Sequence, residues 1–187
     1  MKKTVAILLA ALLLSMLCAC GTAAPAATPE PAATPATAAE ASNEADAKDE
    51  ATVLRFSTTD RDGNAYDESV FAGYKAVMLN FWEPWCGPCV AEMPELQKLY
   101  EAYADQGFLI LGIYETEGME EDVDKVLERT GVTYPILHSC ADFDIFKTGY
   151  VPTTAFVDGE GRVYQNGVYV GSRDYAGWEA LLLEAMS

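Results

Sequence analysis

The chain has 187 residues, half of them hydrophobic and 22% charged, which suffices for one globular core beside a tail and is too short for a multidomain assembly. Twelve Lys and Arg stand against 29 Asp and Glu, a net charge of -17, so nucleic acid is excluded as a partner because its phosphates would meet a like-signed surface. Five cysteines, Cys18, Cys20, Cys86, Cys89 and Cys140, are too few and too irregularly spaced for a disulfide-stapled scaffold, and a single histidine leaves little for a histidine-based metal site.

Met1, Lys2 and Lys3 form a positive start, and the run from Val5 to Leu17, broken only by Ser15, is apolar but too short to span a bilayer comfortably. Residues 1–19 therefore read as a signal peptide. Leu17-Cys18-Ala19-Cys20-Gly21 resembles the bacterial lipobox, with Cys20 as the lipidated residue; Cys18 is the poorer acceptor because bulky Leu17 precedes it. Ordinary secretion with two incidental cysteines is the alternative. A diacylglycerol anchor carries two chains, which at about 0.8 kcal/mol per buried methylene gives stable attachment. The expected location is extracytoplasmic, lipid-anchored to a bacterial membrane.

Residues 20–51 are rich in Ala, Thr, Pro and Glu, with Pro25, Pro29, Pro31 and Pro35 and almost no large apolar side chain. Such a segment cannot offset its ordering entropy and reads as a disordered tether. It could reach about 100 Å if polyproline-like and average roughly 30 Å as a coil. From Thr52 to Ser187 the chain holds nine basic and 23 acidic residues, a net of -14, so the acidity belongs to the folded part.

In that folded part, Val53 to Phe56 and Ala65 to Tyr66 flank the turn-rich Asp60-Arg61-Asp62-Gly63-Asn64, which predicts a small opening hairpin. Lys75 to Phe81 and Phe108 to Tyr114 are apolar runs of strand length that predict buried central strands. Between them, Val90, Met93, Leu96, Leu99, Tyr100 and Tyr103 recur near a 3.6-residue period, predicting a helix from Pro88 to Gln106, with Pro94 as a kink and Gly107 as the stop. Asp122 to Thr130 predicts a second helix with Val123, Val126 and Leu127 inward. Tyr134 to His138 then reads as a short strand and Asp142 to Thr148 as a short helix. Thr153 to Val170 reads as a hairpin turning at Gly159-Glu160-Gly161, and Tyr175 to Met186 as a last amphipathic helix. The order implies an α/β domain, a mixed sheet sandwiched by helices.

The chemistry is carried by Trp85-Cys86-Gly87-Pro88-Cys89. The pair falls where a strand gives way to a helix, so Cys86 sits at or just before the first turn, where unpaired N–H groups favour a thiolate, the attacking species in disulfide exchange. Two intervening residues place Cys89 one turn in, within reach of a mixed disulfide formed at Cys86. Cys86 is thus the nucleophile and Cys89 the resolving thiol. Two other readings compete: half of a zinc site completed by His138 and Cys140, and a purely structural bridge, whose two-residue loop would constrain little of the unfolded chain.

Asn80-Phe81-Trp82-Glu83-Pro84-Trp85-Cys86-Gly87-Pro88-Cys89 resembles the active-site segment of the thioredoxin superfamily, and Cys89-Val90-Ala91-Glu92-Met93-Pro94 resembles its membrane-tethered extracytoplasmic branch, the TlpA/ResA-like thiol-disulfide oxidoreductases. Tyr150-Val151-Pro152-Thr153-Thr154 resembles the second signature of that family. The resemblance runs from about Val53 to Met186 and implies a thioredoxin-like three-layer sandwich. It also implies a cis Pro152 facing the cysteines, and substrate contacts at Trp85, Val151 and Pro152. Two positions depart from cytoplasmic thioredoxins. Asn80 stands where those proteins carry a buried proton-transfer aspartate. Glu92, on the helix face of Cys89, resembles the carboxylate that ResA-like proteins hold near the site and is expected to assist proton transfer; an ordinary surface charge is the alternative. Cys140 lies outside both motifs and reads as a free, buried or partly buried thiol.

The Gly-Pro pair between the cysteines is that of thioredoxin, at the reducing end of the disulfide potential scale. The expected function is reduction of protein disulfides by a monomer without bound cofactor or metal. The resemblance implies oxidised protein substrates, with cytochrome c maturation among the roles of relatives, and a transmembrane thiol donor of electrons. The competing functions are a metal chaperone using the two cysteines and His138, and a peroxiredoxin-like peroxidase. The latter would want Thr or Ser three residues before its cysteine, where Glu83 stands.

Overall fold

A computed structural model describes residues 52–187; the signal segment, Cys20 and the tether assigned to residues 20–51 lie outside the described residues. The described elements run β1 Ser57–Thr59, β2 Ala65–Asp67, β3 Ala76–Phe81, α1 Gly87–Tyr103, β4 Phe108–Tyr114, α2 Glu120–Thr130, β5 Ile136–His138, β6 Thr153–Val157, β7 Val163–Val170 and α3 Tyr175–Ala185. Five strands form one sheet in the order β5-β4-β3-β6-β7, and β1 pairs only with β2. β4 lies parallel to both β3 and β5, whereas β6 runs antiparallel to β3 and β7. This is the mixed sheet that the element order predicts, in a thioredoxin-like fold.

The period-two alternation of β3 and β4 divides the core. Ala76, Met78, Phe108 and Ile110 face one side, where they meet Met93, Leu96 and Leu99 of α1, Val123 and Val126 of α2, and Trp178 and Leu182 of α3. Val77, Leu79, Leu109, Leu111 and Ile113 face the other. All three α-helices therefore cover one face. The opposite face is closed by Leu54 and Phe56 of the leading segment, by Phe71 from a 3₁₀ turn at Glu68–Phe71, and by Phe143 and Phe146 from a second at Ala141–Phe146. The mixed sheet is thus flanked by the three α-helices on one face and by the 3₁₀ turns and the leading segment on the other. The helix expected at Asp142 to Thr148 is only the 3₁₀ turn, too short to present a full helical stripe.

Other boundaries move for local reasons. The opening hairpin forms at Ser57–Thr59 with Ala65–Asp67, later than Val53 to Phe56 predicts, because Leu54 and Phe56 are buried beneath the sheet and leave that stretch as an extended strip. β5 starts at Ile136 rather than Tyr134; Pro135 has no N–H to pair, and only its carbonyl joins the ladder, accepting from Gly112 N–H at 2.9 Å. α1 continues through Pro94, which denies Val90 the amide its carbonyl would otherwise receive. Among the described residues, no helix is long and apolar enough to cross a membrane.

The β6–β7 turn holds the leading strip in place. Asp158 Oδ1 accepts from the amides of Glu160 at 2.8 Å and Arg162 at 2.9 Å, and Leu54 N–H donates to Gly161 carbonyl at 2.7 Å. Gly161 has a φ of +80°, and a Cβ there would lie 2.8 Å from Leu54 carbonyl oxygen, so both backbone conformation and space demand glycine. Gly161→Ala is expected to cost about 2 kcal/mol through the strained φ and the overlap, measured as a lowered urea midpoint at unchanged slope.

Candidate active site

The strand β3 ends at Phe81, and α1 begins at Gly87 with Cys86 as its N-cap. Cys86 N–H donates to Glu83 carbonyl at 3.0 Å, turning the chain, and Val90 N–H donates to Cys86 carbonyl at 3.1 Å, closing the first helical turn. Pro88 fits there because the first helical amides have no intrahelical acceptor. Cys86 and Cys89 form a disulfide with their Cα atoms 5.3 Å apart. Cys89 N–H points at Cys86 Sγ, 3.2 Å away, so the sulfur sits on a helix N-terminal amide as the strand-to-helix position predicts. Cys86 keeps 5% exposure and Cys89 none.

The Val151–Pro152 peptide is cis, as the resemblance implied. Val151 carbonyl oxygen lies 3.6 Å from Cys86 Sγ, which puts the Pro152 loop directly on the disulfide. Trp85 is exposed beside Cys86, whereas Pro152 is buried and Val151 half-buried. The residues singled out around the cysteines therefore converge on one patch. Cys140 is a free, half-buried thiol. The His138 ring lies against Tyr114, centroids 5.0 Å apart, and among the described residues no group of three His, Cys, Asp or Glu side chains converges as a metal site.

Glu92 is buried, not a surface charge. Its Oε1 accepts from Asn80 Nδ2 at 3.3 Å, and its Oε2 accepts from Arg173 N–H and Trp178 Nε1, both at 3.1 Å. Burial pushes its pKa up, and the donors from Arg173, Trp178 and Asn80 oppose that rise. Asn80 also donates to Thr154 Oγ1 at 3.1 Å, so the residue occupying the place of the thioredoxin aspartate binds the carboxylate supplied by the helix. The Arg173 guanidinium stacks over the rings of Tyr169 and Trp178, 5.2 and 4.9 Å from their centroids. Sequence reasoning missed Arg173 and Trp178 because they lie 81 and 86 residues from Glu92 and their spacing carries no motif.

A cleft of about 360 Å³ opens beside the disulfide, with Glu83, Trp85, Phe143, Lys147, Tyr150 and Val151 among its walls. Glu83 is only 6% exposed; its Oε1 accepts from the amides of Glu115 at 2.9 Å and Thr116 at 3.3 Å, pinning the loop after β4.

Residues 48–166 match the AhpC/TSA family. The chain belongs to that family. It is 39% identical over 112 residues to the thiol-disulfide oxidoreductase ResA of Geobacillus kaustophilus, covering 59% of this chain and 63% of that protein. It is 40% identical over 91 residues to ResA of Oceanobacillus iheyensis, covering 48% of this chain and 47% of that one. The matches thus span less than two thirds of these relatives. The crystal structure of a thiol:disulfide interchange protein of the thioredoxin family from Chlorobium tepidum superposes with a TM-score of 0.65 at 27% identity, over 76% of this chain and all of that one. Arg173 and Trp178, which hold Glu92, lie beyond the family-matched span.

The raised pKa of Glu92 has a definite sign in stability. The folded state keeps the Glu92 proton after the unfolded chain has released it, so this group's stabilisation is full below the ordinary value of 4.5 and is lost as pH rises through the higher folded value. Unfolding free energies of wild type and Glu92→Gln, measured in urea from pH 4 to pH 8, are therefore expected to converge or cross as pH rises, with wild type losing ground. Parallel profiles would show that Glu92 carries no such shift.

Proposed function

We propose that this protein is a thiol-disulfide oxidoreductase that reduces disulfides in protein substrates, with Cys86 as the attacking thiol and Cys89 as the resolving one. The observation that carries this reading is a disulfide at a helix N-terminus in which Cys86 keeps 5% exposure and Cys89 none, beside the Val151 carbonyl. In the reduced protein, the Cys89 amide stabilises a thiolate at Cys86. That thiolate attacks one substrate sulfur, and the other leaves as a thiolate and takes up a proton. Cys89 gives up its proton and attacks Cys86 in the mixed disulfide, which releases the second substrate thiol and leaves the Cys86–Cys89 bridge. Two electrons pass to the substrate, and a thiol donor must return two to the protein. In this reading Glu92, one helical turn beyond Cys89, assists the proton of Cys89, and its burial on the same helix supports that role.

The Gly-Pro pair supports the reducing direction, since it is the pair of thioredoxin. The lipobox-like Leu17 to Gly21 supports lipidation at Cys20, extracytoplasmic location on a bacterial membrane, and a membrane thiol carrier as the electron source. The peroxidase alternative is weakened by Glu83, whose carboxylate occupies the position where a hydroxyl would be needed and is committed to the amides of Glu115 and Thr116.

Equilibration of the Cys86/Cys89 couple against thiol-disulfide buffers, with Cys140 replaced by Ser, is expected to give a potential near that of thioredoxin, about -270 mV; a value near about -120 mV would make the protein a disulfide-forming enzyme instead. Cys89→Ser should accumulate a mixed disulfide through Cys86, visible as a mass adduct on a disulfide-bonded substrate, and Cys86→Ser should form none. For the anchor, Cys20→Ser is expected to move the protein from the membrane fraction to the soluble one, whereas retention on the membrane would remove the lipidation reading.

A further inference from the structure

The cleft beside the disulfide carries more information than a general substrate surface would. Glu83 forms part of its wall, is buried, and uses one carboxylate oxygen on two backbone amides, while Oε2 has no partner among the described residues. A buried carboxylate oxygen without a donor is unusual, because buried acceptors are nearly always satisfied. The cleft's own cation cannot serve: Lys147 is spent on Glu115 and Asp144, at 2.9 Å each. What remains is an excess of negative charge between aromatic walls, among them Trp85 and Tyr150, both exposed at the rim. Val151 and Trp85 bring the cleft up to the Cys86 sulfur.

We propose that this cleft is a side-chain subsite for a lysine or arginine flanking the disulfide-bonded cysteine of the substrate, with Glu83 Oε2 as the anion that receives it. The proposal rests on the oxidoreductase reading and specifies its substrate class. A long cationic side chain fits each wall for a separate reason. Its head donates to the unpartnered oxygen, its charge lies against the aromatic faces, and its aliphatic stem covers the apolar rim. The net of -14 in residues 52–187 attracts any basic protein at long range, but only a subsite distinguishes where along the substrate the cation stands.

The full-length protein, reduced beforehand, is mixed with synthetic peptides that carry one intramolecular disulfide. They are identical except for Lys, Leu or Glu next to one cysteine, and a fourth peptide has its Lys moved to the far end. Second-order rate constants follow from the tryptophan fluorescence change as Cys86 and Cys89 oxidise. The adjacent-Lys peptide is expected to react about tenfold faster than the adjacent-Glu one and several-fold faster than the far-Lys one, a preference that shrinks with added salt. Glu83→Gln is expected to bring the Lys-to-Glu ratio to about twofold or less, as neutralising one partner of a buried charge pair should. Tyr150→Ala, at an exposed position where folding is not at stake, is expected to lower the Lys-to-Leu ratio. Equal rates for all four peptides, equal rates for the near and far Lys, or a Lys-to-Glu ratio that Glu83→Gln leaves unchanged in a folded protein would each overturn the subsite alone. Reduction of none of the peptides would overturn the oxidoreductase reading and the subsite with it.

Discussion

The burial of β3 on both faces is the constraint from which the rest follows. Ala76, Val77, Met78 and Leu79 are fully shielded, because β4 and β6 flank the strand and the two half-cores cover it. A strand in that position can leave the sheet only at its ends. The parallel partner β4 requires a crossover, and α1 supplies it. The antiparallel partner β6 is set with Phe81 opposite Thr153, so the residues after Phe81 and those before Thr153 emerge at the same edge. Cys86 and Val151 meet because that register leaves them nowhere else to go.

Two buried glutamates flank the active-site segment and are bonded in different ways. Glu92 lies behind it, beneath α1, and each of its oxygens has a donor: Asn80 from the central strand, Arg173 and Trp178 from the chain leading into and along α3. These bonds tie the last helix to the active-site helix around a carboxylate that burial disfavours in its charged form. Glu83 spends one oxygen on the loop after β4 and leaves the other buried without a donor.

Asn80 shows how a change of residue at one position is answered at another. The side chain points to the helical face because it continues the alternation of Ala76 and Met78. There an amide can donate to Glu92 and to Thr154, whereas a second carboxylate would face Glu92 as a like charge. Asparagine in the strand and glutamate in the helix are a matched pair.

Much of the domain was legible in the chain itself. The apolar runs at Phe108 to Tyr114 and Lys75 to Phe81 and the 3.6-residue period after Pro88 depend on local pattern, and local pattern is what a sequence displays. The cysteine pair was legible as well, since contiguous residues in a strand-to-helix turn carry it, whereas the cis geometry at Pro152 came only from the family resemblance. The placement of all three helices on one face was not, because it depends on which side of the sheet each crossover takes. Nor were Arg173 and Trp178 as partners of Glu92, or Glu115 as partner of Glu83, which lie 81, 86 and 32 positions away. Sequence alone therefore determined the reacting atoms and the secondary structure that presents them. Tertiary structure alone decided the polar surroundings of those atoms, because hydrogen bonds between distant segments leave no period or spacing in the chain that makes them.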